Sequence, residues 1–194
     1  TVIIVMIISK KIFNPTVSLL SAVVTAFYPP LIIYSNIKLT EFLFTFLVVS
    51  NALVLLKVFE DPKTKNFIYL GISHGIMTLC RSTTIVFPFF LFFAMLFSKL
   101  RKKLLKGFIV YFLVGSGIIS IWTVRNYFAF HDFLLVNTGA GGLTWFAIQD
   151  DAWKGDQLVE LHPFREFEDL KNLPWIKWEK IIVWRVIKFA IRHP

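Results

Sequence analysis

A single cysteine, Cys80, excludes an intramolecular disulfide framework and a cysteine-rich zinc site, and it leaves the redox compartment undecided. Charge is scarce too: 17% of the 194 residues are Asp, Glu, Lys or Arg, against about 25% in soluble domains. Acids are nearly missing from the first part of the chain, where Glu41 is the only one before Glu60. There is no Walker loop, no HExxH and no GxSxG, so P-loop, zincin and serine-hydrolase chemistry lack their signatures. Neither an internal repeat nor a low-complexity tract occurs.

Apolar residues fill the chain instead. They make up 56% of it, 22 of them phenylalanine, and the mean hydropathy is +0.68. The formal charge of +9 by itself would suggest a nucleic-acid partner, but its distribution argues otherwise. Up to His131 there are 13 Lys and Arg against 3 acids; from Asp132 onward there are 8 against 9. Two parts with different solvents follow: an apolar part with basic punctuation, 1–131, and a mixed polar segment, 132–194.

Between Lys11 and Lys38 lie 26 uncharged residues, where a hydrocarbon core of ~30 Å needs about 20 in a helix. Asn14 and Pro15 can start that span, and Tyr28, Pro29 and Pro30 mark its outer end, where a kink costs least. Further uncharged runs cover 42–56, 66–80, 82–98 and 107–124. With Lys10 and Lys11 inside, strict alternation places ten Lys and Arg on the inner side and three, Lys38, Arg81 and Arg125, on the outer side. The positive-inside rule predicts that asymmetry. The cluster Ser98–Lys106 is then a cytoplasmic topology anchor, with anionic-lipid or nucleic-acid recognition as the alternative. Runs 66–80 and 82–98 read as a helical hairpin with Arg81, Ser82, Thr83 and Thr84 at its tip. Thr1–Ser9 is too short to span and reads as the tail of a cut helix, not a signal peptide.

The expected architecture is therefore all-α: a polytopic transmembrane bundle of about five spans plus a cut first helix, then an outer loop and an amphipathic helix. The loop carries Asn137–Gly142 (NTGAGG) and an acidic stretch, Gln149–Asp156; Phe164–Pro174 can form a short helix. From Trp175 to His193, Lys177, Lys180, Arg185, Lys188 and Arg192 fall within about 140° of one helical face, opposite Ile182, Val183, Val186, Phe189 and Ala190. This helix either lies in the membrane interface or packs on the protein's own outer segment. The chain reads as truncated at both ends.

Polar residues at the outer ends of spans are the candidates for chemistry, because ionisable groups near lipid are costly and tend to be functional. Glu41 opens a span in SNIKLTEF; it and Thr40 can equally cap a helix. Arg81 offers five donors to a phosphate or carboxylate, or else snorkels or pairs with Glu41. Arg125, in WTVRNY, can be the end of an aromatic belt with Trp122 and Tyr127. Lys38 has the role of an interfacial lysine as its alternative. Asp150 and Asp151 form an acidic pair able to bind a cation or act as base, though adjacent surface acids usually do neither. His74, beside Gly71 and Gly75, reads as a helix-packing polar residue. His131, His162 and His193 are too scattered for a metal site.

The order of these elements resembles the GT-C class of membrane glycosyltransferases, of the glycosyltransferase family 39 type that includes protein O-mannosyltransferases and the lipid A aminoarabinose transferase. The matching pieces are Ala26–Leu47, Gly71–Leu91, Trp122–Ala147 and Ile187–Pro194. The resemblance implies a polyprenyl-phosphate-linked sugar as donor, with inverting transfer to a hydroxyl of a protein, lipid or glycan acceptor at the outer face of a plasma membrane. An endoplasmic reticulum enzyme would show the same charge pattern. It also implies a first outer loop carrying the principal catalytic acid, which precedes Thr1. Glu41 matches the family's second acidic position, for acceptor or sugar positioning or contact with a divalent cation. Arg81 and Arg125, with Lys38, match positions that hold donor phosphate. Asn126 orients Arg125 or the sugar, Tyr127 stands beside it, and Asn137, Gly141 and Gly142 line the site from above. The competing readings are a transporter or flippase of a lipid-linked glycan and a noncatalytic membrane assembly subunit.

Overall fold

The computed structural model describes residues 1–36, 40–137 and 175–192, and all regular structure among them is helical. In chain order the helices are α1 (Val2–Ile12), α2 (Pro15–Ala26), α3 (Pro29–Asn36), α4 (Thr40–Glu60) and α5 (Thr64–Cys80). A 3-10 turn (Ser82–Val86), α6 (Phe87–Leu96), α7 (Arg101–Phe130) and α8 (Trp175–Arg192) follow.

Among the described residues two helices are individually long and apolar enough to cross a bilayer, α4 with 21 residues and α7 with 30. At 1.5 Å per residue they measure about 32 and about 45 Å. On length alone these two stand out from the expected spans, and local chemistry divides or shortens the runs 12–37 and 82–98. The run 12–37 is cut in two. Asn14 caps α2 by accepting from the Val17 N–H at 2.9 Å, with Pro15 at the first helical position. The helix stops at Ala26, and Pro29, which has no N–H to give, starts α3. With 12 and 8 residues, neither piece alone reaches across ~30 Å. The run 82–98 is shortened in the same way, since its first turn is the 3-10 segment and α6 keeps only 10 residues.

The exterior is apolar, and several polar side chains are buried. Leu19, Val24, Phe27, Phe89, Phe90, Leu113 and Phe128 are exposed, whereas Ser18, Asn51, His74, Thr78 and Asn126 are buried. In water that arrangement would be costly; against hydrocarbon the apolar exterior costs nothing and the buried polar groups join helices. Ser18 Oγ donates to the Met6 carbonyl at 2.7 Å, tying α2 to α1, and Asn51 Nδ2 donates to Ser73 Oγ at 3.1 Å, tying α4 to α5.

The closest packing is between α5 and α7, which run parallel: Phe67 meets Gly107, Gly71 meets Tyr111 and Val114, and Gly75 meets Ile118. Small residues let the two backbones approach. The apolar centre beside this contact holds Val58, Phe67, Leu70, Leu91, Met95, Leu104 and Tyr111. Of the hairpin expected of 66–80 and 82–98, α5 packs chiefly on α7 and α4 and α6 lies against α7, while His74 of α5 meets the ring of Phe87 at the start of α6.

Ion pairs sort by end. Lys11 Nζ reaches Glu60 at 2.6 Å and Lys63 reaches Asp61 at 2.7 Å, which puts the end of α1 beside the α4–α5 turn. These are residues that the charge pattern assigns to one side. Glu41 lies at the other end of α4, 19 residues away, or about 28 Å along the helix axis.

In α8 the buried stripe is Trp178, Ile182 and Val186, at the i, i+4, i+8 spacing of a helix face. Ile182 and Val186 were expected there; Val183 and Phe189 are more exposed, and Trp178 takes their place. Burial by protein atoms favours packing on the chain over a purely interfacial position. Lys180, on the basic face, donates to Asp132 just beyond α7. That bond, and after it the Phe133 N–H, holds the Asp132 carboxyl below its ordinary range.

Candidate functional site

At the end of the bundle opposite the Lys11–Glu60 pair, the chain brings together the last residue of α5, the residue after it, and the first turn of α4. The α5 helix has no glycine at its C-terminus. It ends because Arg81 turns extended (φ −143°, ψ 116°), with its N–H still bonded to the Met77 carbonyl at 3.0 Å. That break points the guanidinium at α4. Arg81 Nη2 donates to Glu41 Oε1 at 3.0 Å, and the guanidinium lies over the Phe44 ring, 5.6 Å from its centre. Cys80 Sγ stands 3.9 Å from the Thr40 carbonyl on the same seam.

The pair is lopsided. The Arg81 side chain is 44% exposed and Glu41 32%, yet Glu41 Oε2 is buried and accepts no hydrogen bond among the described residues. A carboxylate oxygen out of water with nothing to bond costs free energy. It marks a place where a hydroxyl donor from a bound molecule would fit. Among the described residues no three metal-ligating side chains lie together.

A second polar cluster sits on the last turns of α7. Arg125 Nη1 donates to Asn126 Oδ1 at 3.1 Å, and its guanidinium is 5.1 Å from the Trp122 ring centre and 6.0 Å from that of Phe130. Asn126 is buried, and its Nδ2 donates to the Leu134 and Val136 carbonyls at 3.2 and 3.0 Å. Trp122 Nε1 donates to the same Val136 carbonyl at 3.1 Å, and Thr123 Oγ1 to Leu135 at 2.8 Å. The chain after α7 is thus folded back along the helix. His131 makes the reversal in the left-handed region (φ 52°), its N–H bonded to the Tyr127 carbonyl at 2.8 Å.

Of the expected site residues, the structure joins Glu41 to Arg81, and Arg125 to Asn126. Both clusters lie at the same end, because Arg81 is six residues past Gly75 and Arg125 seven past its partner Ile118 on the parallel helix. No hydrogen bond links them among the described residues. Tyr127 is exposed, with its ring against Phe128, and Asn137 is exposed at the end of the return segment. Lys38, Gly141 and Gly142 lie outside the described residues, as do Asp150, Asp151 and the expected short helix at 164–174.

Beside the clusters, a cavity of about 190 Å³ opens between α7 and the segment that follows Arg81. Its wall is mostly apolar (Ile85, Pro88, Phe112, Ile119), with His74, Tyr111, Ser116 and Ser120 as its polar groups, and Leu135 of the return segment closes one side. No sequence pattern marks this cavity, since its polar lining is spread over two helices.

A family model described as dolichyl-phosphate-mannose-protein mannosyltransferase matches residues 1–125, about two thirds of the chain. The chain belongs to that mannosyltransferase family. No curated protein and no solved structure matches it. The family is one of membrane glycosyltransferases, in agreement with the apolar exterior and with the expected class. The stretch shared with the mannosyltransferase family contains Glu41, Arg81 and Arg125; Asn126, Tyr127 and Asn137 fall beyond it.

Proposed function

We propose that the Glu41–Arg81 pair is part of the outer-face site of an inverting glycosyltransferase whose donor is a polyprenyl-phosphate-linked sugar. The observation that carries this reading is the buried, unpartnered Glu41 Oε2 beside an arginine whose remaining donors are open to one side. In the reaction an acceptor hydroxyl oxygen attacks the anomeric carbon, the bond from that carbon to the phosphate oxygen breaks, and polyprenyl phosphate leaves with the bonding electrons. The acceptor's proton passes to a general base. Negative charge builds on the departing phosphate, and a preoriented guanidinium stabilises it more than it stabilises the ground state. Arg81 has that role, with Arg125 on the neighbouring cluster as the second cation and Lys38 as a third. Glu41, already charge-paired, holds a sugar or acceptor hydroxyl through Oε2 instead of acting as the principal base.

The same reading places residues 1–131 in the plasma membrane and 132–194 outside it. Asn126 keeps Arg125 oriented, and Tyr127, Asn137, Gly141 and Gly142 stand over the site. The apolar cavity below the Arg81 break suits the first part of a lipid chain entering from the membrane.

The test is release of polyprenyl phosphate from a panel of radiolabelled polyprenyl-phosphate sugars by membranes carrying the full-length protein. Release that depends on Arg81 is expected. Translocation of a lipid-linked sugar without release from any donor would replace this reading with that of a transporter.

A further inference from the structure

Four buried or half-buried side chains form a continuous hydrogen-bonded chain that begins in the middle of the bundle and ends on the backbone of Arg81. Tyr111 of α7 lies 3.1 Å from His74 Nδ1, and His74 Nε2 lies 3.0 Å from the Thr84 carbonyl and 3.2 Å from Thr78 Oγ1. Thr78 Oγ1 is 2.9 Å from Thr84 Oγ1, which in turn reaches the Arg81 carbonyl at 3.1 Å. One arrangement of protons runs along this chain, with the single Nε2 proton shared between the Thr84 carbonyl and Thr78 Oγ1. The Tyr111 hydroxyl donates to Nδ1, so the imidazole is neutral with its proton on Nε2 and donates to the Thr84 carbonyl. Thr78 then donates to Thr84, and Thr84 to Arg81.

Tyr111 and Thr78 are fully buried and His74 is 2% exposed. For packing α5 on α7 alone, an alanine beside Gly71 and Gly75 would serve without the cost of desolvating an imidazole. The position of the chain's end explains the expense. A helix terminus leaves carbonyls without partners. At this one, which lacks a glycine, the Arg81 carbonyl is taken by Thr84 through its N–H at 3.4 Å and its hydroxyl. The direction in which Arg81 leaves α5 therefore depends on where Thr84 is held, and His74 holds Thr84.

We propose that His74, oriented by the Tyr111 hydroxyl, is a positioning residue that acts through Thr84 to aim Arg81. This rests on the reading of Arg81 as the donor-phosphate cation. It makes α7 a reference for the site, because the ring that sets the α5 terminus is itself set by α7.

The test is a double-mutant cycle in the full-length enzyme with the polyprenyl-phosphate sugar that it turns over. Tyr111→Phe keeps the ring and its contacts and removes one hydroxyl; His74→Gln keeps a donor for the Thr84 carbonyl, and His74→Ala keeps none. We expect Tyr111→Phe and His74→Ala to lower kcat about fivefold to tenfold, the size of one or two lost hydrogen bonds. The donor KM should change less, and His74→Gln should recover at least half of the loss. In an Arg81→Ala background the same substitutions should change kcat by less than about twofold, since the residue they aim is gone. If Arg81→Ala is itself defective and Tyr111→Phe multiplies that defect by its full factor, positioning is overturned while the site stands. If Arg81→Ala is without effect, the site reading falls and this inference with it. Wild-type kcat in both Tyr111→Phe and His74→Ala would also overturn it.

Discussion

Replacing Arg81 by alanine lowers turnover of the full-length enzyme at least tenfold and leaves its insertion in the membrane unchanged. Tenfold corresponds to about 1.4 kcal/mol of transition-state stabilisation, a modest demand on a guanidinium when hydrogen bonds to charged groups contribute about 1.5–3 kcal/mol. Insertion is spared because the charges that set topology, Lys10, Lys11, Lys57, Lys63, Lys65 and the 99–106 cluster, are at the other end of the helices. Arg81→Lys should recover only part of the loss. An ammonium keeps the charge, but it lacks the planar fork that holds Glu41 and a phosphate at once. Turnover measured beside protease mapping of the loops checks both halves of the expectation. Wild-type turnover in Arg81→Ala would return the pair to the role of a partly exposed ion pair, worth about 0–1 kcal/mol.

The second large effect is on packing. A Cβ at Gly71 would stand 2.7 Å from the Tyr111 carbonyl oxygen and 2.9 Å from Val114 Cβ. The first of these is backbone in the middle of α7 and cannot swing aside. Gly71→Val therefore pushes α5 and α7 apart, and overpacking of this kind costs about 1–3 kcal/mol. At Gly107 the obstacle is the Phe67 ring, 2.0 Å from the new atom and buried on all sides. Gly117 has open space around it, with nothing within 4 Å. Thermal unfolding in detergent should show Gly71→Val clearly destabilised, with a lower yield of folded protein, and Gly117→Ala unchanged. Equal stability of the two variants would contradict the close parallel contact on which the site's framework rests.

The elements that the sequence made legible are those set by long, one-signal stretches. The runs 42–56 and 107–124 became α4 and α7, the basic loops gathered Lys11 with the α4–α5 turn, and the period of 175–193 became α8. Where several short-range preferences compete, the pattern misled. A kink or end at Pro29 and Pro30 was expected, but the run of 26 uncharged residues was read as one span and forms the separate helices α2 and α3. Gly71 and Gly75 beside His74 hinted at helix packing, but not at which helix would be the partner.

The site was legible to the same degree. An ion pair of Glu41 with Arg81 was among the open readings, because both are rare charges at one end of their spans, and the geometry joins them. The work of Asn126 was only half visible. Its link to Arg125 was one of the two roles the family resemblance implied, whereas the carbonyls of Leu134 and Val136 that it also holds are backbone groups, which every residue carries and no sequence pattern marks. His74 was read as a packing residue; its partners Tyr111 and Thr84 lie 37 and 10 positions away, beyond the reach of any local periodicity.

The central claim is that Glu41 and Arg81 are a site and not only a staple, and exchanging the two charges tests it most directly. In Glu41→Arg/Arg81→Glu the ion pair can reform across the same seam, so a purely structural pair would be restored. The account predicts that the exchanged protein inserts and folds as the parent does, by protease mapping and thermal unfolding, yet releases less than a tenth as much polyprenyl phosphate from its donor. Turnover restored to the parental level in the double exchange, after loss in either single variant, would contradict it.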